Sequence, residues 1–246
     1  MVSKEELKNL LRELRSEADI TRVREKAREF LEDVDPKVLS LAEQELIQEG
    51  MDPEELRKLC EVHLQVLSVK EEKSEIEPTH PISILKGEHD VILKNLDALE
   101  KTMEGINASE SFEQIGKELE EIERIAHILI DAEKHHQREE EALFPLLEER
   151  GITGPPRIMR MEHRELRARK KALGKLVDEH DALGYNDFVK RLRELEGYIV
   201  PTLRAHISKE NNILYPTALK SLEEKQWKKM KGEFDAIGYC CFTPRR

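Results

Sequence analysis

The sequence predicts an all-α protein, an antiparallel four-helix bundle preceded by a small helical domain. Three observations carry this. Charged residues make up 38% of the 246-residue chain and aromatics only 4%, a balance rich in helix formers and poor in strand formers. Apolar residues recur at three- and four-residue spacing along most of the sequence. Proline and glycine interrupt that pattern at a few defined places.

Residues 1–68 read as a small helical accessory domain. Leu7, Leu10, Leu11 and Leu14 mark a first helix, and Val23, Ala27, Phe30 and Leu31 a second. Asp35-Pro36 opens a third with proline at its first position, and Gly50 stops it. Asp52-Pro53 opens a fourth through Leu56, Leu59 and His63. Residues 69–81 are charged, carry two prolines and read as a linker.

The bundle is expected over 82–220. Its first helix runs through Leu85, Ile92, Leu96 and Leu99 toward Gly105. The second covers about 112–149 and stops at Gly-Ile-Thr-Gly-Pro-Pro, which no helix crosses. The third covers about 157–180, and the fourth about 186–220. Residues 221–246 form a short amphipathic tail with Trp227 and Phe234.

Composition also excludes. With 52 acids against 41 bases, the net charge of −11 argues against nucleic acid or an anionic membrane as partner. No apolar run reaches the ~20 residues that span a bilayer, and the N-terminus lacks a signal-peptide core. A cytoplasmic location is the expectation. Cys60, Cys240 and Cys241 are too few for a disulfide framework or a four-thiolate zinc site, and read as reduced, non-catalytic thiols.

The bundle contains an internal repeat. Its first and third helices each carry Glu-His, at His89 and His163. Its second and fourth carry His-x-x-x-Glu followed by aromatic-Pro. Aligned on Pro145 and Pro216, His135 matches His206 and Glu139 matches Glu210. A four-residue spacing puts both side chains on one helix face. For His135 that face includes Ile128, Ala132, Leu143 and Leu146; for His206 it includes Ile199, Leu203, Ile213 and Leu214. His89 shares its face with Leu85, Ile92 and Leu96, while the face of His163 includes Met159, Leu166 and Leu173 but also Arg167 and Lys170.

A single such histidine is ordinarily a hydrogen-bonded core residue, and a single His-Glu pair an exposed ion pair. Four imidazoles and two carboxylates directed at one core need a cation to offset the cost of burial. The metal ligands are thus expected to be His89, His135, Glu139, His163, His206 and Glu210. Imidazole and carboxylate without thiolate suits iron, with manganese or zinc as substitutes. Six ligands fit two ions better than one.

The motifs EHDVI, HHQREEEALFP, EHRELR and HISKENNILYP resemble, in order and spacing, those of the hemerythrin-like HHE cation-binding domain. The resemblance covers the whole bundle. It implies two non-heme iron ions joined by an oxo or hydroxo bridge, with exchangeable positions that bind O2 or NO. The segment EGMDPEELRKLCEVH looks like a small helical domain of unknown function found ahead of such bundles, which would supply a protein-partner surface. Oxygen-carrying hemerythrins have a further histidine one turn after the third-helix ligand. Here that position is Arg167. His80 and His136 are the candidates for the missing imidazole. His80 needs a loop to reach the centre. His136, with Glu140 one turn on, lies on a less apolar face through Leu129, Glu133 and Leu147, which places it behind the ligands. His63, His127 and His180 read as surface or linker residues.

The leading expectation is binding or sensing of O2 or NO. A redox enzyme at the same centre is the alternative, reducing NO or peroxide or donating iron for iron-sulfur repair. A third reading makes the metal structural and the N-terminal domain an interaction module.

Overall fold

A computed structural model describes residues 45–46, 49–50 and 76–244. The rest of the accessory domain and most of the linker, with Cys60 and His63, lie outside the described residues. Gly50, expected to stop a helix, adopts a left-handed φ of 99°.

The described chain is helical and contains no strand. In order, α1 spans Pro81–Asn107, α2 Gly116–Asp131, α3 Glu133–Arg138 and α4 Phe144–Glu149. Then come α5 at Gly154–Asp178, α6 at Tyr185–Lys209, α7 at Tyr215–Ser221 and α8 at Glu224–Ile237. None of these helices is long and apolar enough to cross a membrane.

The second and fourth expected helices each break in the same way. Between α3 and α4 lies a wider π-helical turn, Glu139–Leu143, and between α6 and α7 another, Glu210–Leu214. Each begins at the repeated glutamate and ends just before the aromatic-Pro pair. Proline has no N–H to donate and its ring crowds the carbonyl four residues back. The chain relieves that crowding by widening the turn ahead of Pro145 and Pro216.

The chain divides into two compact units. One comprises Glu77–Glu139, Met161–Ile207 and Lys229–Arg246. Its core is supplied by four helices in antiparallel succession. Ile92, Leu96, Leu99 and Met103 come from α1, and Ile122, Ile125 and Leu129 from α2. Leu166, Leu173 and Val177 come from α5, and Phe188, Leu192, Ile199, Leu203 and Ile207 from α6. The α1–α2 and α5–α6 connections are short, each with one 3-10 turn, at Phe112–Gln114 and His180–Ala182. Tyr185 donates its hydroxyl to the Ile106 carbonyl at 2.7 Å, satisfying one of the open acceptors at the end of α1.

The described part of the other unit comprises residues 45–46, 49–50, 140–160 and 208–228. In it, α4 ends as Gly151 takes φ 81°, with the Ile152 N–H donating to Leu147 and that of Gly151 to Glu148. This paired closure is why the expected stop falls at Gly151. Arg150 donates to Glu223 at 2.8 Å and to Gln226 at 2.6 Å.

Candidate metal centre

Five of the six expected ligands fall within the first unit, and all five are buried: His89, His135, Glu139, His163 and His206. They form a connected chain of neighbours. His89 and His135 face each other through their Nε2 atoms at 3.1 Å, with ring centroids 4.7 Å apart. Glu139 Oε2 stands 3.6 Å from His135 Nε2 and 3.5 Å from His163 Nε2. The rings of His163 and His206 are 4.9 Å apart and nearly perpendicular. Glu210 opens the second π turn, one helical turn beyond His206, and is 1% exposed.

Two carboxylates that the sequence reading left without a role fix the orientation of two rings. Glu88 Oε2 is 2.8 Å from His135 Nδ1, and Glu162 Oε2 is 2.8 Å from His206 Nδ1. A carboxylate only accepts, so each Nδ1 donates, and Nε2 is the nitrogen each ring has left to offer a metal. Such a carboxylate behind an imidazole sets the tautomer and raises the basicity of the outward nitrogen. Both glutamates belong to the repeated Glu-His pair, and that repetition was the signal available in sequence.

Glu88 is itself held by Arg138, whose Nη2 donates to both carboxylate oxygens at 2.7 and 2.6 Å. Burial alone would raise the Glu88 pKa. The hydrogen bond from His135 and the Arg138 guanidinium together outweigh it and hold the group at about 2. Arg138 in turn lies over Phe234 at 5.3 Å and Tyr239 at 5.0 Å. Thr243 donates its hydroxyl to Glu88. The tail is therefore built against the carboxylate behind His135.

His136 is buried as well. Its Nδ1 lies 3.4 Å from Glu133 Oε1, and Glu140 is only half-buried. Burial, followed by the neighbouring His163 and Lys170, pushes its pKa well below the usual imidazole value, so the ring is neutral. Lys170, expected only to dilute the face of His163, is 1% exposed and paired with Glu133. His80 is half-buried and caps α1, its Nδ1 accepting from Ile82 N at 3.2 Å. His127 is exposed, and His180 stands beside Phe112 at 5.4 Å.

The donor set fits a first-row divalent cation. Imidazole nitrogens and buried carboxylate oxygens converge without a thiolate. The 3.5 and 3.6 Å separations around Glu139 exceed a good hydrogen bond. They suit donors sharing an ion, whose ~2.1 Å bonds set neighbouring ligand atoms about 3 Å apart or more.

Residues 80–218 match the family model described as Hemerythrin HHE cation binding domain. Residues 7–73 match a family of unknown function, DUF438. No curated protein matches the chain.

Proposed function

The chain belongs to the hemerythrin HHE cation-binding family, and on that premise we propose that its centre holds two iron ions and binds or senses O2 or NO. The observation that carries the reading is the buried connected set His89, His135, Glu139, His163 and His206, with two of its imidazoles backed by carboxylates. By the internal repeat, Glu210 is the counterpart of Glu139 and the sixth expected ligand.

Two ions held there would supply exchangeable coordination positions for a diatomic ligand. The protein's own part is to hold imidazoles by Nδ1 so that Nε2 is turned outward. Glu88 and Glu162 do this for His135 and His206, and Arg138 keeps Glu88 ionised and in place. The apolar core formed by Leu96, Leu129, Leu166 and Leu203 excludes bulk water, which strengthens each of these polar contacts. The accessory domain at 7–73 would read the state of the centre.

The test is anaerobic purification with bound iron, then addition of O2 or NO with visible spectroscopy. A spectral change at one ligand equivalent per centre is expected. Absence of iron, or no response to either gas, overturns the reading. Repeated turnover of NO or peroxide with a reductant would replace a sensor with an enzyme.

A further inference from the structure

Resting on the two-iron reading, we infer that His136 supplies the imidazole that the third long helix lacks, a nitrogen ligand delivered from α3. The ring lies parallel to that of His163, 7° between planes and 3.9 Å between centroids. It meets His206 edge-on at 5.6 Å. His136, His163 and His206 each offer a donor atom, and all three atoms lie within 4.8 Å of one another. These three side chains are 2%, 0% and 0% exposed.

A carboxylate also lies on the Nδ1 side of His136, though farther off than behind the other two imidazoles: Glu133 Oε1 is 3.4 Å away and makes no hydrogen bond to it, against 2.8 Å for His135–Glu88 and His206–Glu162. With Nδ1 turned to a carboxylate, Nε2 is the nitrogen left for a metal. The residue at position 167 explains why Glu133 stays there. Arg167 Nε donates to Glu133 Oε2, and Lys170 Nζ is ion-paired with Glu133 Oε1. The side chain that stands where another imidazole would be expected instead holds the carboxylate that aims His136. Loss of a ligand on one helix and gain of one on its neighbour are thus a single arrangement.

Backbone geometry makes the delivery possible. The N–H groups of His135 and His136 both reach the Ala132 carbonyl, at 3.1 and 3.4 Å. This tightening begins α3, and the π turn at Glu139–Leu143 widens its other end. Two consecutive histidines, 1% and 2% exposed, both enter the core on this stretch.

The test compares wild-type protein with His136→Gln after anaerobic loading with ferrous iron, titrating each against a chelator. Wild type is expected to hold two ions. His136→Gln should weaken one ion by about 100-fold or more, beyond the range usual for a residue that only orients a ligand. The other ion should stay within threefold, and the metal-free variant should melt within a few degrees of wild type. Adding Arg167→His to His136→Gln should restore the weakened ion to within about tenfold. Two ions bound with unchanged affinity in His136→Gln would overturn the inference and leave the two-iron reading standing. Fewer than two ions in wild type would overturn both, and is seen before any substitution. Loss of both ions together with a collapsed melting temperature would mark His136 as packing and also overturn it. If the variant does not fold, wild-type ferrous protein decides by the number of hyperfine-shifted exchangeable imidazole resonances: five with His136 bound, four without.

Discussion

His206 donates its Nδ1–H to Glu162 Oε2 at 2.8 Å, and both side chains are buried. The pair repeats the His135–Glu88 contact, at the same distance, on the other half of the internal repeat. Replacing the carboxylate should therefore act on metal affinity more than on the fold. Glu162→Gln keeps an acceptor for Nδ1 and removes the charge. It should weaken iron binding by about 10- to 100-fold, measured by chelator competition, with little change in the melting temperature of the metal-free protein. Affinity within threefold of wild type would contradict this.

Arg138 and Glu88 are both 0% exposed, so their ion pair is fully removed from water. Removing Arg138 leaves the buried Glu88 charge with only its His135 and Thr243 hydrogen bonds. Arg138→Met should cost about 3–5 kcal/mol in urea unfolding of the metal-free protein. Adding Glu88→Gln should recover most of it. A loss under about 1 kcal/mol for the single variant would show that the His135 and Thr243 hydrogen bonds suffice to hold the Glu88 charge.

The adjacent tail thiols should differ sharply in reactivity. Burial, reinforced by the Glu88 carboxylate, pushes Cys240 up to about 12, whereas Cys241 is exposed. A pKa raised in the folded chain means that folding favours the protonated thiol. The stability it carries is complete below the unfolded value near 9 and is lost as pH rises toward 12. Iodoacetamide at pH 8.5, read by peptide mapping, should modify Cys241 more than tenfold faster than Cys240. Equal rates would contradict the packing of the tail.

Gly232 lies inside α8, is exposed, and has open space where a Cβ would stand. Gly232→Ala should stabilise the protein by about 0.5–1 kcal/mol, because alanine loses less backbone freedom in a helix. A lower urea midpoint would show that the position is constrained by something outside the helix.

Much of the fold and the burial of the expected ligands were legible because both rest on periodicity. The faces of His89, His135 and His206 carry apolar residues at helical spacing, and the structure buries all three. Glu88 and Glu162 were on the page as half of a repeated Glu-His pair. Their role was not readable, because a residue next to a ligand on a helix points about 100° away. Its partner sits on another helix, which spacing does not encode. The burial of His136 was hard to read for a different reason. The expected register assumed uniform turns, while the chain tightens at Ala132 and widens at Glu139. The prolines at 145 and 216 were the visible cause of that widening. Arg167 and Lys170 looked like a polar interruption of the His163 face because Glu133, which both of them bind, comes from α3.

The central claim is a two-iron centre, and a metal count tests it most directly. Wild-type protein reconstituted anaerobically with ferrous iron, freed of excess metal and analysed for iron and chain concentration, should hold two iron ions per chain. One ion per chain, or none retained, would contradict the account.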